Sequence, residues 1–197
     1  MTAMEDDAFV RLFQERTALT PVDGWAGRDT IAMLDKLAPA KPAPSDGMPE
    51  DYWPMLAKIE SGNRPYIQAA SSSASGLYQF IRSTWIGEGG KWGPTLRPAF
   101  GGLRPSEAEQ LSRAKSFTAK NAAYLRARGV PINKATLYAA HFLGPVTAGA
   151  ILAAPLTARA DTLAGAAATK ANPSILSGKT VGDFVDWLER KTGDRAK

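Results

Sequence analysis

Nowhere along the chain do apolar and polar residues alternate for long enough to make a strand, whereas apolar residues recur repeatedly at spacings of three and four. A chain patterned this way buries one face of each of several helices, and the expected fold class is mainly α. With 197 residues, 44% of them hydrophobic, it carries enough apolar surface for one real core and a small appendage without staples.

Start and stop signals place the helices. Residues 6–18 put Phe9, Val10, Leu12 and Phe13 on a first helix; the chain then turns through Asp23-Gly24, and Thr30, Ile31 and Leu34 begin a second. Residues 38–49, APAKPAPSDGMP, hold four prolines and no apolar periodicity, so they read as a semi-rigid linker. The expected organisation is therefore a small helical segment over 1–37, a linker over 38–49 and a main domain over 50–197. In that domain Ser106-Glu107-Ala108-Glu109 reads as a capping box that opens a long helix reaching Gly129. Asn133 caps a helix through Leu143, Gly144-Pro145 opens another, and the Ala-rich residues 158–171 continue helically. Thr180-Val181-Gly182-Asp183 caps a last helix with Phe184, Trp187 and Leu188 inward. The Gly-rich stretch from Gly87 to Gly102 is too broken for a helix and reads as a loop flanking a cleft, its aromatic residues either stacking on a ligand or plugging the core edge.

The chemistry concentrates in residues 52–85, YWPMLAKIESGNRPYIQAASSSASGLYQFIRSTW. Trp53, Leu56 and Ile59 recur at helical spacing and are expected on the buried face, and Glu60 follows directly, where Ser61, Gly62 and Asn63 stop the helix. A carboxyl group half-buried beside such side chains loses solvation of its charged form, so its pKa rises and it can hold a proton near neutral pH. On position alone, a Glu that caps a helix end and faces water is the commoner case. The residues that follow change the balance: Ser73-Ala74-Ser75-Gly76-Leu77-Tyr78-Gln79-Phe80 joins a glycine that permits close backbone approach to a Gln and a Tyr able to hydrogen-bond and stack on sugars.

Glu-Ser-Gly-Asn, followed by Ser-Ala-Ser-Gly-Leu-Tyr-Gln-Phe and Ser83-Thr84-Trp85, resembles the soluble-type lytic transglycosylase domain, which is related to goose-type lysozyme. Residues 138–145, Tyr-Ala-Ala-His-Phe-Leu-Gly-Pro, stand where that family carries Ala-Tyr-Asn-Ala-Gly, and HFLG resembles a variant of phage and prophage members. The resemblance runs from Asp51 to about Trp187, roughly three quarters of the chain. It implies a mainly α, lysozyme-like helical domain with Glu60 as catalytic acid. Matched position by position, Gln79 is the Gln that hydrogen-bonds substrate, Tyr78 stands at the usual Met, and Ser73 or a neighbouring serine is the loop Ser. His141 takes the place of the Tyr that orients the acid, with Tyr138 able to substitute from one turn back, and Phe142 replaces the motif Asn. Separately, VRLFQERTALTPVDGWAGRDTIAML resembles the repeat of peptidoglycan-binding domains of bacterial hydrolases, of which the last half is recognisable here. Its presence implies either a wall binder or a remnant that packs on the catalytic domain.

Between residues 52 and 104 the only acid besides Glu60 is Glu88, so a two-carboxylate glycosidase lacks an obvious second acid, and the phage lysozyme pattern with an Asp shortly after the Glu is absent. A one-acid mechanism fits better. The resemblance implies that Glu60 protonates the oxygen between N-acetylmuramic acid and N-acetylglucosamine, that the substrate's acetamido group stabilises the anomeric carbon, and that the muramic C6 hydroxyl then attacks to give a 1,6-anhydro product. A hydrolytic muramidase on the same fold and a non-catalytic wall-binding or virion structural protein are the alternatives.

The remaining expectations are exclusions. No cysteine and a single His leave no disulfide, no thiolate nucleophile and no zinc cluster, so neither a metal nor a cofactor is expected. Residues 1–50 carry nine acids and five bases, whereas 51–197 carry ten acids and nineteen bases. A basic main domain suits a polyanionic wall as well as nucleic acid, but no nucleic-acid motif accompanies it, and the expected partner is the peptidoglycan glycan strand, bound by a monomer. The uncharged stretch between Lys134 and Arg159 is interrupted by His141, Gly144-Pro145, Gly149 and Pro155, so it reads as two buried helices and not as a membrane span. MTAMEDDAFVRLF has neither a basic n-region nor an apolar h-region. The expected course is synthesis in the cytoplasm without a signal peptide and action on the wall after holin-type release or virion delivery, as for a phage or prophage endolysin.

Overall fold

A computed structural model describes residues 6–37 and 48–197, and the expected linker lies, apart from Met48 and Pro49, outside them. The chain divides into two compact units, residues 1–46 and 47–197. The described residues are mainly helical, with isolated bridges such as Gln68 to Ser75 and Ser75 to Phe80 in place of strands. No described helix is long and apolar enough to cross a membrane.

In the first unit, α1 (Asp6–Arg16) and α2 (Arg28–Leu37) flank a turn built around one buried side chain. Gln14 Nε2 donates to Asp23 Oδ1, the Trp25 carbonyl and Thr30 Oγ1 at 3.0–3.1 Å, while its Oε1 accepts from the amides of Asp23 and Gly24. Gly24 has φ +76°, which is why the turn places a glycine there. The Gln, Asp-Gly and Thr of the repeat-like stretch are thus one hydrogen-bond network.

In the second unit the helices are α3 (Tyr52–Ser61), α4 (Arg82–Gly87), α5 (Glu107–Arg126), α6 (Lys134–Leu143), α7 (Pro145–Ala153), α8 (Ala160–Ala171), α9 (Pro173–Leu176) and α10 (Val181–Thr192), with one 3-10 turn over Ala99–Gly102. The core forms around α6, whose Ala135, Leu137, Tyr138, Ala139 and Ala140 are all buried; its small side chains let α5, α7 and α10 approach closely. Asn133 closes α6 with a reciprocal capping box, as does Thr180 for α10. Gly144, at φ +78°, makes the corner between α6 and α7. The box expected at α5 is half formed: Ser106 Oγ accepts from the Glu109 amide, while the Glu109 carboxylate pairs with Arg113 at 2.7 Å. The last Ala-rich helix, α8, is interrupted by the non-helical backbone of Gly165.

The inward face of α3 differs from the spacing expectation. Leu56 is buried, but Trp53 and Ile59 are half-buried, and Tyr52 takes the deepest position instead. The glycine-rich stretch behaves as a plug: Trp85 and Phe100 are buried with ring centroids 4.7 Å apart, Trp92 packs on Phe100, and none of the three lines the cleft described below.

Candidate active site

The last turn of α3 is fixed by a left-handed cap. Gly62, at φ +60°, and Asn63 donate to the carbonyls of Lys58 and Ala57, and Ser61 Oγ donates to the Ala57 carbonyl at 2.9 Å. Glu60 therefore leaves the helix in one direction, into a cleft of about 620 Å³. Phe80, Phe117, His141 and Phe142 form much of its apolar wall, and Ser72, Gln79 and Asn172 its polar one.

Burial raises the pKa of the Glu60 carboxyl, against the Tyr138 hydroxyl and the positive field of Lys191, both of which favour the charged form. Among the described residues Glu60 is the only carboxylate that lines the cleft. Glu88, the one other acid of residues 52–104, is turned away, both its oxygens 2.9 Å from Lys120 Nζ. Such a site can deliver and retrieve one proton; it offers no second carboxylate to act as nucleophile or to activate water.

The loop before α4 is a tight double turn. The Ser75 amide donates to the Phe80 carbonyl at 3.0 Å, the Gly76 amide to Ile67 and the Ala69 amide to Ala74, both at 2.9 Å. Gln79 sits at φ +48°, a left-handed conformation rare for a residue with a side chain, and it is there that the chain reverses so that Gln79 faces the cleft while Tyr78 does not. Gln79 Nε2 donates to the carbonyls of Gly76 and Ile67 at 2.9 and 3.4 Å, so what it offers to the cleft is its carbonyl oxygen, an acceptor.

Sequence reasoning overlooked the residue that holds this loop. Gln110 of α5 is buried; its Oε1 accepts from the Leu77 amide at 2.8 Å and its Nε2 donates to the carbonyls of Pro65 and Pro105, both at 3.1 Å. A Gln four residues after a helix cap reads as a surface residue, and the only signal was its place on the same stripe as Ala114 and Phe117.

Of the expected substrate-binding residues, Gln79, His141 and Phe142 line the cleft with Glu60. Tyr138 is buried behind it, its hydroxyl acting on the Glu60 carboxyl, and its ring meets Phe142 and Trp187 at centroid distances of 6.3 and 5.7 Å. Tyr138 from one turn back, and not His141, thus supports the acid. His141 lies between Phe80 and Phe117, its ring centroid 5.7 and 6.0 Å from theirs. Its Nδ1 is buried without a partner, and burial lowers its pKa to about 4, against the opposing pull of the Tyr78 backbone. Ser73 does not reach the cleft: its Oγ accepts from the Arg82 amide at 3.0 Å, and Ser72 takes the lining position. Tyr78 opens onto a separate groove.

Among the described residues no group of three or more His, Asp or Glu is placed to hold a metal ion. No protein-family model matches the chain, and no curated protein matches it.

Proposed function

We propose that this chain cleaves the β-1,4 bond between N-acetylmuramic acid and N-acetylglucosamine in peptidoglycan, as a lytic transglycosylase whose main domain has the goose-lysozyme-like fold. The observation that carries the reading is the pairing of one half-buried carboxyl, Glu60, whose pKa burial raises, with a cleft to which no other described residue contributes an acid. Glu60 gives its proton to the N-acetylglucosamine O4 as the C1–O4 bond breaks, while the acetamido oxygen of the muramic residue closes on C1. The Glu60 carboxylate then takes the proton of the muramic C6 hydroxyl, O6 bonds to C1, and the acetamido oxygen leaves, giving the 1,6-anhydro sugar without water. Gln79, His141 and Phe142 contact the glycan, and Tyr138 positions the acid. The role that suits this activity is that of a phage or prophage endolysin or a virion-associated enzyme of wall entry, with residues 1–37 as an accessory wall-binding segment.

Mass spectrometry of the soluble products from purified peptidoglycan tests the reading, using the native protein and Glu60→Gln. Anhydro-muropeptides from the native protein alone are expected. Reducing-end muropeptides would replace the transglycosylase by a hydrolytic muramidase, and no products would leave a wall-binding or structural protein.

A further inference from the structure

A second groove, of about 440 Å³, shares no lining residue with the Glu60 cleft. Among the residues that line it are the aromatic Trp53 and Tyr78, the polar Glu50, Asn63 and Glu107, and the apolar Leu77. Tyr78 is only 5% exposed, yet its hydroxyl lies at this groove and no described residue hydrogen-bonds it. Neither Glu50 nor Glu107 belongs to a salt bridge among the described residues. Among the described residues no Lys or Arg lines the groove, although residues 51–197 carry nineteen bases against ten acids. Two carboxylates outside any described salt bridge, lining one groove with two aromatic residues, make a local negative site on a positive body; burial first, and then the negative charge of Glu107, raise the Tyr78 pKa.

The geometry points to a binding site for an alkylammonium group, the lysine-type amine of a peptide or a free polyamine. The charged head lies between the Glu50 and Glu107 carboxylates, beside the half-buried Trp53 ring, and donates to the Tyr78 oxygen, while its alkyl stem lies along the apolar lining at Leu77. This assignment does not depend on what the Glu60 cleft cleaves.

The test is an NMR titration of the full chain, following the indole N–H of Trp53, assigned by Trp53→Phe among the five tryptophans. The probes are 1,5-diaminopentane, Nα-acetyl-lysine methylamide and the same lysine probe acetylated on Nε. Saturable shifts from the two amines, and none from the acetylated probe, are expected, with binding about tenfold weaker in a Glu50→Gln/Glu107→Gln variant whose melting temperature is unchanged. The tighter of the two amines identifies the source as peptide or polyamine. Equal binding of the acetylated probe, undiminished binding by the double variant, or no shift from either amine would overturn the assignment. A shift produced by an N-acetylglucosamine oligomer but by neither amine would overturn it too, making the groove a sugar subsite.

Discussion

Tyr138, buried in the middle of α6, sets its hydroxyl against the carboxyl of Glu60, in the last turn of α3, and favours the charged form of that acid. Burial and the phenol pull the acid in opposite senses: burial raises the Glu60 pKa, and the phenol stabilises the carboxylate that remains once the proton has left. Loss of the phenol removes only the second effect. Tyr138→Phe is therefore expected to raise the Glu60 pKa further and to move the alkaline limb of the pH–activity profile upward, with kcat at neutral pH down about tenfold. Turbidity loss of purified peptidoglycan against pH measures both, and an unshifted limb would show that Tyr138 has no hold on the acid.

Glu60→Gln separates chemistry from stability. As the proton donor, Glu60 accounts for about 10²- to 10⁴-fold in rate, and the variant is expected to lose that much. A carboxyl whose folded pKa lies above its unfolded value costs stability as pH rises from the unfolded value upward, because the folded state holds the proton longer. At pH 7 the glutamine variant should therefore melt above the native protein, and the gap should shrink as the pH is lowered to 4. A variant that melts lower at pH 7 would contradict the burial assigned to this carboxyl.

His141 works in the other direction. Its folded pKa of about 4 lies below the ordinary value of 6.5, so the unfolded chain binds the proton first. The stability involved is fully present above pH 6.5 and is lost as pH falls toward 4, by about 3 kcal/mol over the window. Urea unfolding at steps from pH 7 to pH 4, in a Glu60→Gln background that removes the opposing slope, should show this loss. His141→Gln should flatten it.

Much of the helical framework can be read from spacing and caps: Asn133, Gly144-Pro145 and Thr180 stand where helices begin or turn, because capping is decided by neighbours within four residues. Glu60 was legible for the same local reason, since Gly62 ends its helix. The residues around it were not. Tyr78 and Gln79 are adjacent, and only the left-handed backbone at Gln79 sends one to the cleft and the other to a different groove, a choice no spacing rule contains. Tyr138 and His141 both lie on the stretch matched to the family Tyr, and which of them reaches Glu60 depends on how α6 is rotated by its packing against α7 and α10. Gln110 was invisible because its three partners, at residues 65, 77 and 105, meet only in the folded chain.

That buried amide makes the site mechanically dependent on α5, and Gly76 shows how closely. At φ +79° a side chain is strained in any case, and a Cβ there would fall 2.4 Å from both Gln110 Oε1 and the ring of Phe100. Neither neighbour has room to retreat, because Gln110 is tied at both ends and Phe100 is wedged between Trp85 and Trp92. Gly76→Ala is expected to destabilise the second unit by about 2–3 kcal/mol through overpacking. Gln110→Ala should cost about 3 kcal/mol, since it opens a cavity and leaves the buried Leu77 amide unpaired. Gln110→Glu separates the two contributions: its carboxylate can still accept from Leu77 but no longer donates to Pro65 and Pro105. It should fall between native and Gln110→Ala in urea midpoint. In all three variants peptidoglycan cleavage should fall further than the folded fraction does, because Gln79 hangs from the same turn; cleavage that merely follows the folded fraction would mean that the loop keeps its shape without Gln110.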